Sequence, residues 1–284
     1  MVPMNDERRR FIARLLSPTA VEDALTVYYA LYHNRTQIFA YGQEVVVGFL
    51  AICQTAHDLF TPLVVMRADS DDVLHALLSH HLDEGREYLF VVKEQMASVL
   101  RQCLVTWDEH FNLIYTVDEE SFRPDLGHPV EKVVREERFP RFEVTTQAVI
   151  ASKAKQSPSR KEEIASSQKP VLSEAEGTLL AMTRAEQLRF EIKDGKKVIA
   201  AAGTNWCSPY FAEVGVWTDE DYRGRGLARA VVSACTSELL KEGITPLYIV
   251  AEGNAASIRV CEALGYRFSG YREFSCRGRL RPKR

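Results

Sequence analysis

The 284-residue sequence lacks any long apolar run. The longest, Val45 to Cys53, is interrupted by Gly48 and falls well short of the ~20 residues a membrane helix needs, which argues against a transmembrane segment. Arg8, Arg9 and Arg10 near the start are followed by only Phe11, Ile12 and Ala13 before Arg14, too few for a signal-peptide core. A cytoplasmic location is the expectation. The six cysteines at 53, 103, 207, 235, 261 and 276 include no C-x-x-C pair, which predicts reduced, metal-free thiols. No strong charge imbalance exists either: a net charge of -3 offers no general basic field, which argues against nucleic acid as a partner. The local exception is the end of the chain, where Arg277, Arg279, Arg281, Lys283 and Arg284 form a basic stretch without interleaved aromatics. Residues 277–284 therefore read as a solvated tail, with contact to an anionic partner as the alternative.

Aromatics are missing altogether between Phe142 and Phe190, although the chain is 10% aromatic. Within that gap residues 151–177 are rich in Ser, Lys, Glu and Ala and show no sustained period, the composition of a disordered insert. The expected organisation is an N-terminal domain at 1–140, a linker at 141–180, a second domain at 181–276 and the tail.

What is present is patterned. Apolar runs at 188–192 and 198–204 flank Asp194-Gly195, a hairpin signal, and a strand follows at 210–218. Residues 227–242 carry apolar positions at 227, 228, 231, 232, 235 and 239, one face of a helix stopped by Gly243. A buried strand at 246–251, a helix at 255–264 capped by Asn254 and stopped by Gly265, and a strand at 266–276 complete a β-β-β-α-β-α-β order. After two opening helices, at 6–16 and after the Ser17-Pro18 cap, the N-terminal part repeats this order. Its strands are expected at 37–41, 44–54, 62–67, 88–92 and 111–117, and its helices at 71–82 and 95–104. The fold class is α/β (α+β).

The chemistry concentrates in Arg223-Gly224-Arg225-Gly226-Leu227-Ala228, between a strand and a helix. Two glycines let backbone N–H groups approach an anion, the helix start adds partial positive charge, and the arginines can bond phosphate. A plain glycine loop with solvated arginines is the alternative. These residues resemble the phosphate-binding loop of GNAT-superfamily N-acetyltransferases. Asn254-Ala255-Ala256-Ser257, Glu262 to Tyr266 and the preceding strand EVGVWT extend the resemblance over about 186–276.

The resemblance implies a mixed, splayed sheet in two tandem copies, of which only the C-terminal one carries the cofactor motif. It implies acetyl-CoA as co-substrate, with backbone groups of Val216, Trp217 and Thr218 on pantetheine and amides of Arg225 to Ala228 on pyrophosphate. Asn254 would lie near the pantetheine arm, as well as capping its helix. The acceptor is expected to be a small-molecule amine. No histidine follows His128, which leaves Glu213 as the candidate base, against an ordinary strand glutamate as the alternative. The family's acid tyrosine position holds Cys261, more naturally a packed thiol, with Tyr266 and Tyr271 as possible substitutes. In the N-terminal copy, Ala68-Asp69-Ser70-Asp71-Asp72 would repel pyrophosphate and suits a helix start. His75, His80 and His81 lack metal-ligand spacing, and no metal is expected. Two competing readings are a non-catalytic CoA-binding module and a protein-interaction subunit. The sequence carries no signal for oligomeric state.

Overall fold

A computed structural model describes residues 7–42, 45–55, 60–133 and 188–282. The expected insert at 151–177 lies outside them.

After the short helix α1 (Glu7–Ala13), Ser17 does not cap a helix as expected; its amide donates to Asp23 Oδ2 at 2.9 Å. A 3₁₀ turn at Val21–Asp23, helix α2 (Ala24–Val27) and a π turn at Tyr28–Tyr32 follow. Strands β1 (Thr36–Tyr41), β2 (Gly48–Cys53) and β3 (Leu63–Ala68) lead to α3 (Asp71–His81), β4 (Tyr88–Lys93), α4 (Ala97–Cys103) and the long β5 (Leu104–Thr116). A two-residue β6 (Glu131–Lys132) precedes the second set: β7 (Arg189–Asp194), β8 (Lys197–Cys207), β9 (Phe211–Thr218), α5 (Leu227–Lys241), β10 (Thr245–Ala251), α6 (Ala255–Ala263) and β11 (Arg267–Leu280).

The order of elements repeats as expected, but the two copies do not form separate sheets. The eleven strands among the described residues form one sheet in the order β1-β2-β3-β4-β11-β5-β10-β9-β8-β7-β6. The last strand of the second copy enters the first, pairing antiparallel with β4 (Phe274 opposite Val92) and with β5 (Phe274 opposite Phe111). In return β5 pairs with β10, Ile114 opposite Ile249. Each copy therefore completes its sheet with a strand of the other, and from Glu273 to Gly278 β11 has a strand neighbour on both sides.

β11 also runs on to Leu280, beyond the expected end at Cys276. Arg277 and Arg279 are consequently sheet residues, not tail; Arg277 donates to Glu87 at 2.5 Å. The alternation within β11 explains its fit. Phe274 and Cys276 are fully buried beneath α3 and α4, in a core with Phe90, Leu77, Leu78 and Leu100. The intervening residues face the opposite side, where β11 lies against the turn at Val21–Asp23. On that side Tyr28 stacks on Trp206 with ring centroids 5.4 Å apart, so the N-terminal segment covers strands of both copies.

The chain also crosses to the second core earlier than the expected boundary at 140. Val117 is already part of that core, and Phe122 and Val130 pack on it. Gly265, expected only as a helix stop, has a second cause: a side chain there would meet the Ser121 carbonyl oxygen 1.9 Å away.

Because the sheet is shared, the two copies should unfold together. Truncating the fully buried Phe274 to Ala should cost about 3–5 kcal/mol and move one calorimetric transition as a whole. Two separate transitions, only one of them shifted, would contradict a shared core.

Candidate functional site

β9 and β10 run parallel but pair over only three residues, from Phe211 opposite Thr245 to Glu213 opposite Leu247, and then part. The split opens a groove of about 990 Å³. Val216, Trp217, Thr218, Arg223, Gly224, Arg225, Gly226, Leu227, Ala228 and Asn254, the residues expected to hold a cofactor, all line it.

Gly224 and Gly226 take φ of +77° and +81°, left-handed values that side chains resist. Gly226 is the N-cap of α5 and supplies no capping side chain, which leaves the first-turn amides for an outside acceptor. Arg223 and Arg225 are exposed beside the loop. Arg223 pairs with Glu220 at 3.2 Å, and Arg225 donates to the Asp221 carbonyl at 3.0 Å while lying over the Tyr222 ring. Asn254 is an N-cap as expected, its Oδ1 accepting from the Ser257 amide at 3.1 Å.

The groove's fit to a pantetheine arm and diphosphate rests on two features. The Thr218 hydroxyl is buried with no partner among the described residues, a polar atom suited to an amide of a bound chain. At the other end stands the uncapped, glycine-walled helix start.

Two contributors were missed. His128 brings Nε2 within 2.8 Å of the Arg225 carbonyl, Asp125 pairs with Arg229, and the Asp125 amide donates to Ser233 Oγ at 2.8 Å. The stretch after β5 thus buttresses the loop from about a hundred residues away, which no local pattern reveals. Tyr248 is the other. It lines the groove from β10, its hydroxyl 2.7 Å from Ser257 Oγ, and burial pushes it up to about 12. In the sequence it is one letter in an apolar run.

Of the acids considered earlier, Cys261 is fully buried, bonds the Ile258 carbonyl, and burial raises its thiol to about 12. Tyr266 is also buried, 2.7 Å from the Thr236 hydroxyl, and Tyr271 lies exposed on β11. Neither tyrosine is among the residues lining the groove.

Glu213 points to the face of β9 opposite α5. Ala212 and Val214 belong to the core under α5, whereas Phe211 packs with Trp206 on the other face. Burial raises the Glu213 carboxyl, and a hydrogen bond from Asn205 Nδ2 at 3.1 Å opposes that rise. Gly215 makes room for this contact, since a Cβ there would lie 2.4 Å from Asn205 Oδ1. A second carboxyl, Glu273 of β11, faces the same side of the sheet and is only 8% exposed. Burial, with the charge of Glu213 added, pushes it up to about 8.

The N-terminal copy has a similar split, β3 and β4 pairing only at Leu63 and Val64. No anion cradle results. Ser70 caps α3 by accepting from the Val73 amide, and Asp71 and Asp72 fill the first turn. Across the split the buried Asp23 bonds Arg67 of β3 at 2.6 Å and Lys93 of β4 at 2.9 Å. Of the histidines, His75 lies 3.0 Å from Cys103 Sγ and His81 stacks on Phe39.

The family model described as GNAT acetyltransferase matches residues 185–273. A search of curated proteins gives no match. Among solved structures, a GNAT-family protein from Novosphingobium aromaticivorans is 19% identical, with 94% of this chain and 99% of that chain covered, at a TM-score of 0.52. A GCN5-related N-acetyltransferase-like protein from Streptococcus suis is 17% identical, covering 95% and 98%, with a TM-score of 0.53. A tandem GNAT protein of the clavulanic acid biosynthesis pathway is 14% identical, covering 99% and 98%, with a TM-score of 0.55. Over residues 185–273 the C-terminal copy is thus similar to GNAT acetyltransferases, and the chain as a whole has the fold of a tandem GNAT protein. Among the described residues no helix is long and apolar enough to cross a membrane.

A sign follows for stability. The native Glu273 carboxyl binds its proton more tightly than the ordinary value of 4.5 implies. That stability is complete below about pH 4.5 and is lost as pH rises through about 8. In urea unfolding, Glu273→Gln should therefore gain on the parent from about pH 5 to about pH 9; a difference independent of pH would contradict the assignment.

Proposed function

We propose that the protein transfers an acetyl group from acetyl-CoA to the amine of a small molecule, directly and in a ternary complex, in the cytoplasm. The observation that carries this reading is the convergence of all ten expected cofactor residues on the one groove where β9 and β10 part. When bound, acetyl-CoA supplies a thioester carbonyl open to attack by an amine.

Each step falls to a named residue. Amides of Arg225 to Ala228 hold the pyrophosphate at the α5 N-terminus, and Arg223 and Arg225 add charge. Backbone groups of Val216, Trp217 and Thr218 align the pantetheine, and strand amides there stabilise the oxyanion. Asn254 keeps α6 capped beside the arm. Glu213 takes the proton that nitrogen loses as the C–N bond forms. A buried hydroxyl that resists ionisation stays protonated at neutral pH, and Tyr248 gives its proton to the departing sulfur as the C–S bond breaks. No metal and no nucleic acid enters this scheme. The buried Cys261 in place of the family's tyrosine favours a second reading, a CoA-binding module without catalysis.

Acetyl-CoA at ~100 times its dissociation constant should add about 2.7 kcal/mol to the stability of the parent, several degrees in Tm. Gly226→Asp, which puts a strained, negative side chain into the cradle, should abolish the shift. Glu213→Gln and Tyr248→Phe should keep it while kcat falls about 100-fold. An equal shift in Gly226→Asp contradicts the cofactor site. Binding without turnover of any amine favours the module reading.

A further inference from the structure

The scheme above gives the N-terminal copy no chemistry, yet α3 and α4 bring a thiol and an imidazole together there. Cys103, the last residue of α4, has its Sγ 3.0 Å from Nδ1 of His75, an exposed residue of α3. The two are 28 positions apart in the chain, so helix packing makes the contact. Exposure singles out the same thiol: Cys53, Cys207, Cys235, Cys261 and Cys276 are buried, and Cys103 alone of the six is partly open to solvent. Around the pair, Arg281 follows β11, its amide donating to the Cys103 carbonyl at 3.0 Å and its guanidinium to the Arg101 carbonyl at 3.0 Å. Arg101 itself is paired with Glu109, and Asp71 and Asp72 lie one turn before His75 on α3. Burial raises the Cys103 thiol to about 11 against the opposing charge of Arg281. Such a thiol is scarcely ionised at neutral pH, and the nucleophile is the thiolate. Reaction at neutral pH therefore needs a base within hydrogen-bond reach of the sulfur, the place His75 occupies.

We infer that Cys103 and His75 form a thiol–imidazole site that exchanges with low-molecular-weight disulfides, which gives the N-terminal copy a specific S-thiolation site. The Cys103 sulfur attacks one sulfur of a disulfide R–S–S–R while His75 Nδ1 takes the thiol proton. As the new S–S bond to Cys103 forms, the old one breaks, and the departing RS– receives the proton from the imidazole and leaves as RSH. Cys103 is oxidised, the released sulfur is reduced, and the incoming disulfide is the only oxidant required. Arg281 favours the negative charge that gathers on the Cys103 sulfur during attack. The site shares no residue with the groove between β9 and β10, so it stands whether or not acetyl-CoA binds there.

The test incubates the reduced full chain with excess glutathione disulfide and follows it by intact mass and peptide mapping. One glutathionyl group should add, on Cys103, with one glutathione released per chain and the five buried cysteines unmodified; dithiothreitol should reverse the addition. Cys103→Ser should take up none. His75→Gln should slow the addition about tenfold or more at about pH 7. Its rate should approach the parent's as pH rises toward about 11, where the thiol ionises unaided, a convergence that a merely packing role for His75 would not produce. No uptake by the parent, uptake without preference for Cys103, or a His75→Gln rate equal to the parent's at neutral pH would each overturn the proposal. The parent's result stands without any variant having to fold.

Discussion

The exchange of β11 between β4 and β5 is the constraint on which the other features depend. A strand paired on both edges and buried on one face by Phe274 and Cys276 cannot leave without opening the first copy's core. Its loss would also unpair β5, whose other edge supports β10, and β10 is one wall of the groove. The groove between β9 and β10 therefore depends on the N-terminal copy.

This dependence gives the N-terminal copy a structural part to play although its own split forms no anion cradle. It carries β4 and β5 to receive β11, covers the shared face with Val21 to Tyr32, and sends the stretch after β5 across α5 to the Arg223–Ala228 loop through His128 and Asp125. Asp23, held between Arg67 and Lys93, bridges a split that in the other copy stays open. The same architecture therefore appears twice, once braced by an ionic bridge and once open as a groove.

What the sequence disclosed was local. The Asp194-Gly195 hairpin, the Gly226 start of α5, the Gly243 and Gly265 stops and the Asn254 cap are each set by the backbone needs of one or two residues, so their positions could be read directly. The Arg223–Ala228 turn was legible for the same reason. What stayed hidden were long-range choices. Alternation in β11 fits any sheet with one polar and one apolar face, so nothing marked β4 and β5 as its neighbours, and Arg277 looked like the start of a charged tail. Tyr248 was masked by its apolar run. Tyr266 and Tyr271 were considered because they lay near the motif in sequence, but one is turned into the core and the other to solvent.

The central claim, that the groove between β9 and β10 is the acetyl-CoA site, is tested most directly by amide hydrogen exchange with and without acetyl-CoA. The account predicts slowed exchange confined to the strand end at 216–218, the loop and first turn at 224–229, and the α6 start at 254–257, with residues 69–73 of the N-terminal copy unchanged. Protection at 69–73, or none in the three groove segments at saturating ligand, would contradict it.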